Sequence, residues 1–290
     1  MSGRRVGFYL SDKKRRKMNL DAFADFCAVH GVEVVEIDLT QPLVGPFDVI
    51  IHKLSDVIVE AEHDSQSQQL LANFQSYVSA HPRTVLLDPL PAMTQLLDRF
   101  ASYRIMSKLQ SSLRDWCICS PPYLEVHSAS GLSSIQQAVM SQGISFPLNR
   151  KTIFFNSHQV SKPESSSDLT ALDEQMPCPP PPSSEAVAAL VRELRVQLGM
   201  ALFGVDIIIN IHTHTLTVID INIFPGYEGV PQFFSCLLSH IESVLDKQTS
   251  DGPQATGSSE STQTTGGPSA AGSPQEQIVD CTASSASQDK

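Results

Sequence analysis

The amino-acid sequence predicts an α/β protein: an N-terminal parallel sheet covered by helices, then a second region built around an antiparallel hairpin. Three observations carry this. Over roughly the first ninety residues, short aliphatic runs alternate with amphipathic helical segments, the pattern of βαβ units. Late in the chain, "ALFGVDIIIN" and "TLTVIDINIF" flank the polar segment "IHTHT", which reads as two strands and their turn. Hydrophobic residues make up 41% of 290, enough to bury a substantial core.

Taken in order, "RVGFYL" is the first strand and "NLDAFADFCAVHG" a helix with Asn19 as N-cap, Leu20, Phe23, Phe26 and Cys27 inward, and Gly31 at its stop. "VEVVEIDL", the near-continuous apolar "FDVIIHKL" and "TVLLDP" are further strands, with a helix through "SQSQQLLANFQSYVSAH" between the last two. Residues 1–90 thus form a Rossmann-like domain, whose ligands gather at the carboxyl ends of the strands. That rule draws Lys13, Lys14 and Lys53 towards one crevice, and a lysine closing a buried strand is an unusual structural choice. Next come a helix begun by proline in "DPLPAMTQLLDRFASYRIMSKLQSSL", the segment "WCICSPPYLEV", a short helix near 132–142, the linker "MPCPPPPSSE", the helix "SEAVAALVRELRVQLG", the hairpin, and a last helix from about 230 to 245.

Residues 246–290 are rich in Ser, Thr, Gly, Gln and Pro with few apolar side chains, the composition of a disordered tail. A formal net charge of −11 argues against nucleic-acid or anionic-membrane partners. Against that background the run "KKRRK" at 13–17 stands out, as a solvated turn, a localisation signal or part of an anion site. The six cysteines show no zinc-ligand spacing, and Cys117 and Cys119 sit at strand alternation. No secretory signal or stretch of eighteen apolar residues occurs, so a cytoplasmic, monomeric protein without membrane insertion is expected.

If the hairpin turns about Thr213, Asp206 lies across from Asp220, and Asn222 is two residues further along. Period-two alternation then puts all three on one face, with Val205, Ile207, Ile209, Ile219, Ile221 and Ile223 on the other. Facing carboxylates repel unless a cation lies between them, and an oxygen-only set suits Mg2+ shared with nucleotide phosphates. A solvated hairpin with its polar face in water is the competing reading.

Neither a GxxxxGK[ST] loop, a GxGxxG turn nor a protein-kinase catalytic loop is present. An acid on one strand and D-x-N on the next, after a parallel-sheet domain, resembles the ATP-grasp superfamily. Longer runs, "RVGFYLSDKK", "DVIIHKLSDVI", "LLDPLPAMTQLLDR", "ICSPPYLE", "IFFNSHQVSKPESSS", "LFGVDIIIN" and "VIDINIFPGYEGV", resemble the inositol-tetrakisphosphate 1-kinase family, also called inositol trisphosphate 5/6-kinases, over residues 4 to 245. The resemblance implies Mg2+ held by Asp206, Asp220 and Asn222; an inositol polyphosphate contacted by Lys14, Lys53, Asn222 and Gly226; and ATP contacted by Arg99, Ser157 and Ser161. It implies transfer of the ATP γ-phosphoryl group to a ring hydroxyl of an inositol tris- or tetrakisphosphate.

The chain departs from the family pattern in one place. Only "LNRKT" separates "SFP" from "IFFNSH", so the region 91–245 reads as an ATP-grasp domain whose central segment is missing between about 148 and 153. Lys151 is either the nucleotide lysine or part of the polar run that precedes "IFFNSH"; the unbroken match from Arg150 favours the second. The gap sets an impaired kinase beside a non-catalytic inositol phosphate-binding form. An ATP-grasp carboxylate ligase is a third reading, opposed by the lysines at 13, 14 and 53.

Overall fold

The structure is a computed structural model that describes residues 3–123, 125, 132–141, 181–210 and 213–250. Ser157, Ser161, Lys151, the gap near 148–153 and the tail beyond residue 250 lie outside the described residues. The chain divides into two compact units. One comprises Met1–Leu97, Leu194–Gly204 and Asn222–Lys290, the other Asp98–Glu193 and Val205–Ile221.

The first unit carries a four-stranded sheet of β1 (Arg4–Tyr9), β2 (Val32–Glu36), β3 (Val49–His52) and β4 (Val85–Leu87) in the order β2-β1-β3-β4. Every pairing is parallel, with Val6 opposite Val34 and Val49, and Ile50 opposite Leu86. The expected parallel sheet is therefore present. All four residues of β3 are buried, because both faces are covered. Val49 and Ile51 join Val6, Phe8, Phe23, Cys27 and the helical Leu237, Leu238 and Ile241 in one core cluster. Ile50 faces the other way, among Phe74, Tyr77 and Met93.

Helices α1 (Asp12–Met18) and α2 (Leu20–Val29) follow β1. The basic run is thus helical rather than a turn: Ser11 caps it by accepting the Lys14 N–H, and burial of Lys14 and Met18 ties it down. Asn19 does precede α2, but its side chain makes no cap hydrogen bond; with φ at 53° it ends α1 instead, donating its N–H to Arg15 and Arg16 carbonyls. Helices α3 (Ser55–Glu60) and α4 (Ser65–Ala80) precede β4.

The proline-begun helix is two helices, α5 (Leu90–Leu97) and α6 (Arg99–Ser112). Asp98 breaks the run by taking an extended conformation and accepting the Phe100 N–H, so a capping side chain prevails over helical periodicity. In a second, three-stranded sheet, β5 (Ile118–Cys119) pairs in parallel with β7 (Leu216–Ile223), which β6 (Phe203–Ile209) flanks on its other side. Cys117 lies outside β5 in a left-handed conformation, exposed, so it does not share a strand face with Cys119. Helix α7 spans Leu132–Ser141 and α8 Ser184–Leu198, the latter burying Ala186, Ala189, Leu190, Leu194 and Leu198 at helical spacing. Helix α9 (Phe233–Ser250) runs past residue 245, where the tail was expected to begin. Arg4 pairs with Glu242 and Asp246, and Leu245 is buried, which holds the extra turn. Among the described residues no helix is long and apolar enough to cross a membrane.

Candidate functional site

In the first unit the carboxyl ends of β1 and β3 deliver two lysines to one point. Lys14, one turn into α1, is only 6% exposed. Its Nζ donates to the carbonyls of Phe224, at 2.8 Å, and Pro225, and lies 3.9 Å from the centre of the Phe224 ring. Lys53, directly after β3, donates to the same Phe224 carbonyl at 3.4 Å. Two ammonium groups bound to one oxygen stand no more than about 6.2 Å apart. Burial lowers the Lys14 pKa from 10.5 to about 7, helped by the positive charges of Lys53 and Lys17 and opposed by Glu228. Burial also lowers Lys53, with Asp56 opposing. Lys13 is exposed on α1 and does not join them.

The acceptor is the turn after β7. Phe224 and Tyr227 hold left-handed φ values of 39° and 54°, conformations that cost free energy in bulky residues and persist where surrounding contacts enforce them. The Tyr227 ring stacks on Phe233 at 4.5 Å and its hydroxyl donates to the Phe203 carbonyl at 3.3 Å; burial pushes its pKa up. A Cβ on Gly204 would meet Pro225 Cγ at 2.9 Å, so glycine is required where β6 passes under the turn. Gly226 is different. A Cβ there would make only ordinary contact with Glu228 at 3.5 Å, so the free protein itself does not require glycine at 226. Glu228 accepts from Lys17 at 3.3 Å and adds an exposed tie between turn and α1.

In the second unit, Asp220 is half-buried on β7 and its Oδ1 accepts from the Arg99 guanidinium at 3.2 Å and the Ile221 N–H at 3.0 Å. The exposed Arg99 contributes little stability through this pair and can exchange it for another anion. Asp206 is exposed on β6, with half-buried Val205 and Ile207 on either side. Ile221 is buried between half-buried Asp220 and Asn222, which places these two polar residues on the same side of β7. Between β6 and β7, the Asn210 N–H donates to the Thr215 carbonyl at 3.0 Å and His214 takes a left-handed φ of 55°.

Among the described residues no three His, Cys, Asp or Glu side chains form a metal-binding cluster. The set expected from the sequence, two carboxylates and an amide, offers hard oxygen donors of the kind Mg2+ takes, and Asp220 draws a cationic partner in Arg99. Sequence reasoning picked out Lys14 and Lys53 but not the backbone oxygens that gather them. It also passed over Asp88, whose buried carboxylate takes the N–H groups of Ala201 and Leu202 at 2.8 and 2.9 Å. The acid in "LLDP" was a possible signal, since a carboxylate is rarely buried without partners.

Residues 5–93 match the inositol 1,3,4-trisphosphate 5/6-kinase pre-ATP-grasp domain, and residues 148–243 match the ATP-grasp domain of the same kinases. An inositol-tetrakisphosphate 1-kinase of Danio rerio is 39% identical over 324 residues, covering 87% of this chain and 82% of the relative. One of Xenopus laevis is 39% identical, covering 85% and 80%. An 87% share of 290 residues is about 252, so about seventy positions of the 324-residue alignment have no counterpart here. Among solved structures, a D-alanyl-alanine synthetase A of Vibrio cholerae aligns with a TM-score of 0.47 at 11% identity, covering 85% of this chain and 99% of that one.

Proposed function

This chain belongs to the inositol-tetrakisphosphate 1-kinase family, and we propose that it transfers the γ-phosphoryl group of ATP to a ring hydroxyl of an inositol tris- or tetrakisphosphate, with Mg2+. The observation that carries the reading is the meeting of Lys14 and Lys53 on the Phe224 carbonyl. Two ammonium groups this close, held against a turn whose Gly226 leaves the backbone approachable, match a polyanion whose phosphates need several donors at once. Substrate phosphates replace the carbonyls as acceptors, and restored charge on Lys14 stabilises the complex.

Phosphoryl transfer asks little covalent chemistry of a protein; alignment and charge neutralisation supply most of the rate. Lys14, Lys53 and Gly226 hold the inositol phosphate, with Asn222 contributing its amide. Asp206, Asp220 and Asn222 would hold Mg2+, and Arg99, Ser157 and Ser161 would contact ATP. When bound, the ion neutralises charge on the terminal phosphates. The protein acts as a cytoplasmic monomer.

About seventy alignment positions lack a counterpart, which favours turnover below that of the relatives. Losing one preorganised donor to a transition state costs about a hundredfold to a thousandfold. The same observation supports a second reading, an inositol phosphate-binding form with no turnover. The test is transfer of labelled γ-phosphate from ATP to inositol 1,3,4-trisphosphate at high protein concentration with Mg2+. Labelled inositol tetrakisphosphate supports the kinase; tight substrate binding without product supports the second reading, and neither binding nor product removes both.

A further inference from the structure

The turn that gathers the two lysines is itself held by a continuous line of hydrogen bonds that begins at a buried acid. Asp88 follows β4 and is 3% exposed. Its two carboxylate oxygens accept from the Ala201 and Leu202 N–H groups, at 2.8 and 2.9 Å. The Leu202 carbonyl accepts the Phe224 N–H at 2.9 Å. On the other side of that residue, the Phe224 carbonyl accepts from Lys14 and Lys53. Every member lies in the first unit.

A buried carboxylate is expensive, and burial does raise the Asp88 pKa, against the pull of the two backbone donors and of Arg195. A carboxylate, unlike a side-chain amide, offers two acceptor oxygens and no donor, so each of the two adjacent amides takes an oxygen of its own. The segment it grips therefore has one position, and the peptide of Phe224 inherits it. The Tyr227 hydroxyl, bonded to the Phe203 carbonyl, and Gly204, where a Cβ would meet Pro225 Cγ at 2.9 Å, keep the same two segments close just beyond that point.

We infer that Asp88 is a positioning residue for the inositol phosphate: by fixing Ala201 and Leu202 it sets the Phe224 turn, and through that turn the spacing of Lys14 and Lys53. The inference rests on the reading that these lysines hold substrate phosphates. A merely structural acid would lower stability and leave the folded protein's affinities alone. A positioning acid moves one affinity and spares the other.

The test uses the full chain and its Asp88→Asn and Lys14→Ala variants, each titrated with inositol 1,3,4-trisphosphate and separately with ATP and Mg2+. The expected result for Asp88→Asn is a roughly tenfold or greater loss of inositol phosphate affinity, with ATP affinity within about twofold of wild type. Folded Asp88→Asn with unchanged inositol phosphate affinity overturns the inference. If Lys14→Ala also binds normally, the reading of the lysines fails with it; if Lys14→Ala alone loses binding, only the role of Asp88 fails. Should Asp88→Asn not fold, amide exchange on the wild-type chain decides. Saturating inositol 1,3,4-trisphosphate should slow exchange of the Ala201, Leu202 and Phe224 amides together, and unchanged rates at Ala201 and Leu202 overturn the inference.

Discussion

Lys14 offers the sharpest quantitative prediction, because burying an ammonium group costs the free protein stability. Its pKa falls from 10.5 to about 7 in the folded chain. Between these values the unfolded chain keeps a proton that the folded chain has released, so stability rises with pH across that window. At 1.36 kcal/mol per pH unit, the gain between about pH 7 and pH 9 reaches at most about 2 kcal/mol, and about half that when solvent relaxes the penalty. Urea unfolding of the wild type and of Lys14→Met at matched pH isolates the effect, since the other titrating groups are common to both and cancel in the difference. The wild-type stability minus that of Lys14→Met should increase by about 1–2 kcal/mol over this range. A difference that stays flat with pH would refute the claim that Lys14 is held charged only at a cost. Lys53 and Lys17 face it with like charge and Glu228 with opposite charge, so Glu228→Gln should shift the onset of the rise to lower pH.

Three further outcomes follow. Asp220→Asn should cut turnover about a hundredfold or more and shift the Mg2+ titration to higher concentration, while stability changes by less than about 1 kcal/mol because its Arg99 pair is exposed; an unchanged Mg2+ curve counts against a metal role. His52 is fully buried and held neutral down to about pH 4, so the unfolded chain binds its proton first as pH falls below 6.5. His52→Phe should therefore lose about 2–3 kcal/mol of the acid sensitivity between about pH 6.5 and pH 4 seen in urea unfolding; identical pH slopes for both chains would show that the histidine is not buried neutral. Inserting the about seventy positions found in the Danio rerio relative should raise transfer to inositol 1,3,4-trisphosphate at least about tenfold, and no gain would locate any impairment elsewhere.

The parallel sheet was legible because burial on both faces demands unbroken apolar strands such as "FDVIIHKL", and few other architectures use them. The break at Asp98 was not: its helix-capping bond is a local event that periodicity averages away. The two lysines were legible from the rule that ligands gather at strand carboxyl ends, whereas the oxygens that bring them together are backbone atoms, which carry no residue-type signal. Asn19 shows the same limit. Its position before α2 suggested a side-chain cap, yet its capacity for the left-handed region is what the chain uses. The strands β6 and β7 were visible in composition, while the facing of their residues depends on local geometry such as the left-handed His214, which pattern alone does not encode.

The measurement that bears most directly on the account is calorimetric titration of inositol 1,3,4-trisphosphate into the wild type and into a Lys14→Ala, Lys53→Ala double variant, with ATP and Mg2+ as the control ligand. Saturable binding to the wild type, lost at least about a hundredfold in the double variant while ATP binding persists, is the expected result. Equal affinity of the two proteins for the inositol phosphate would contradict it.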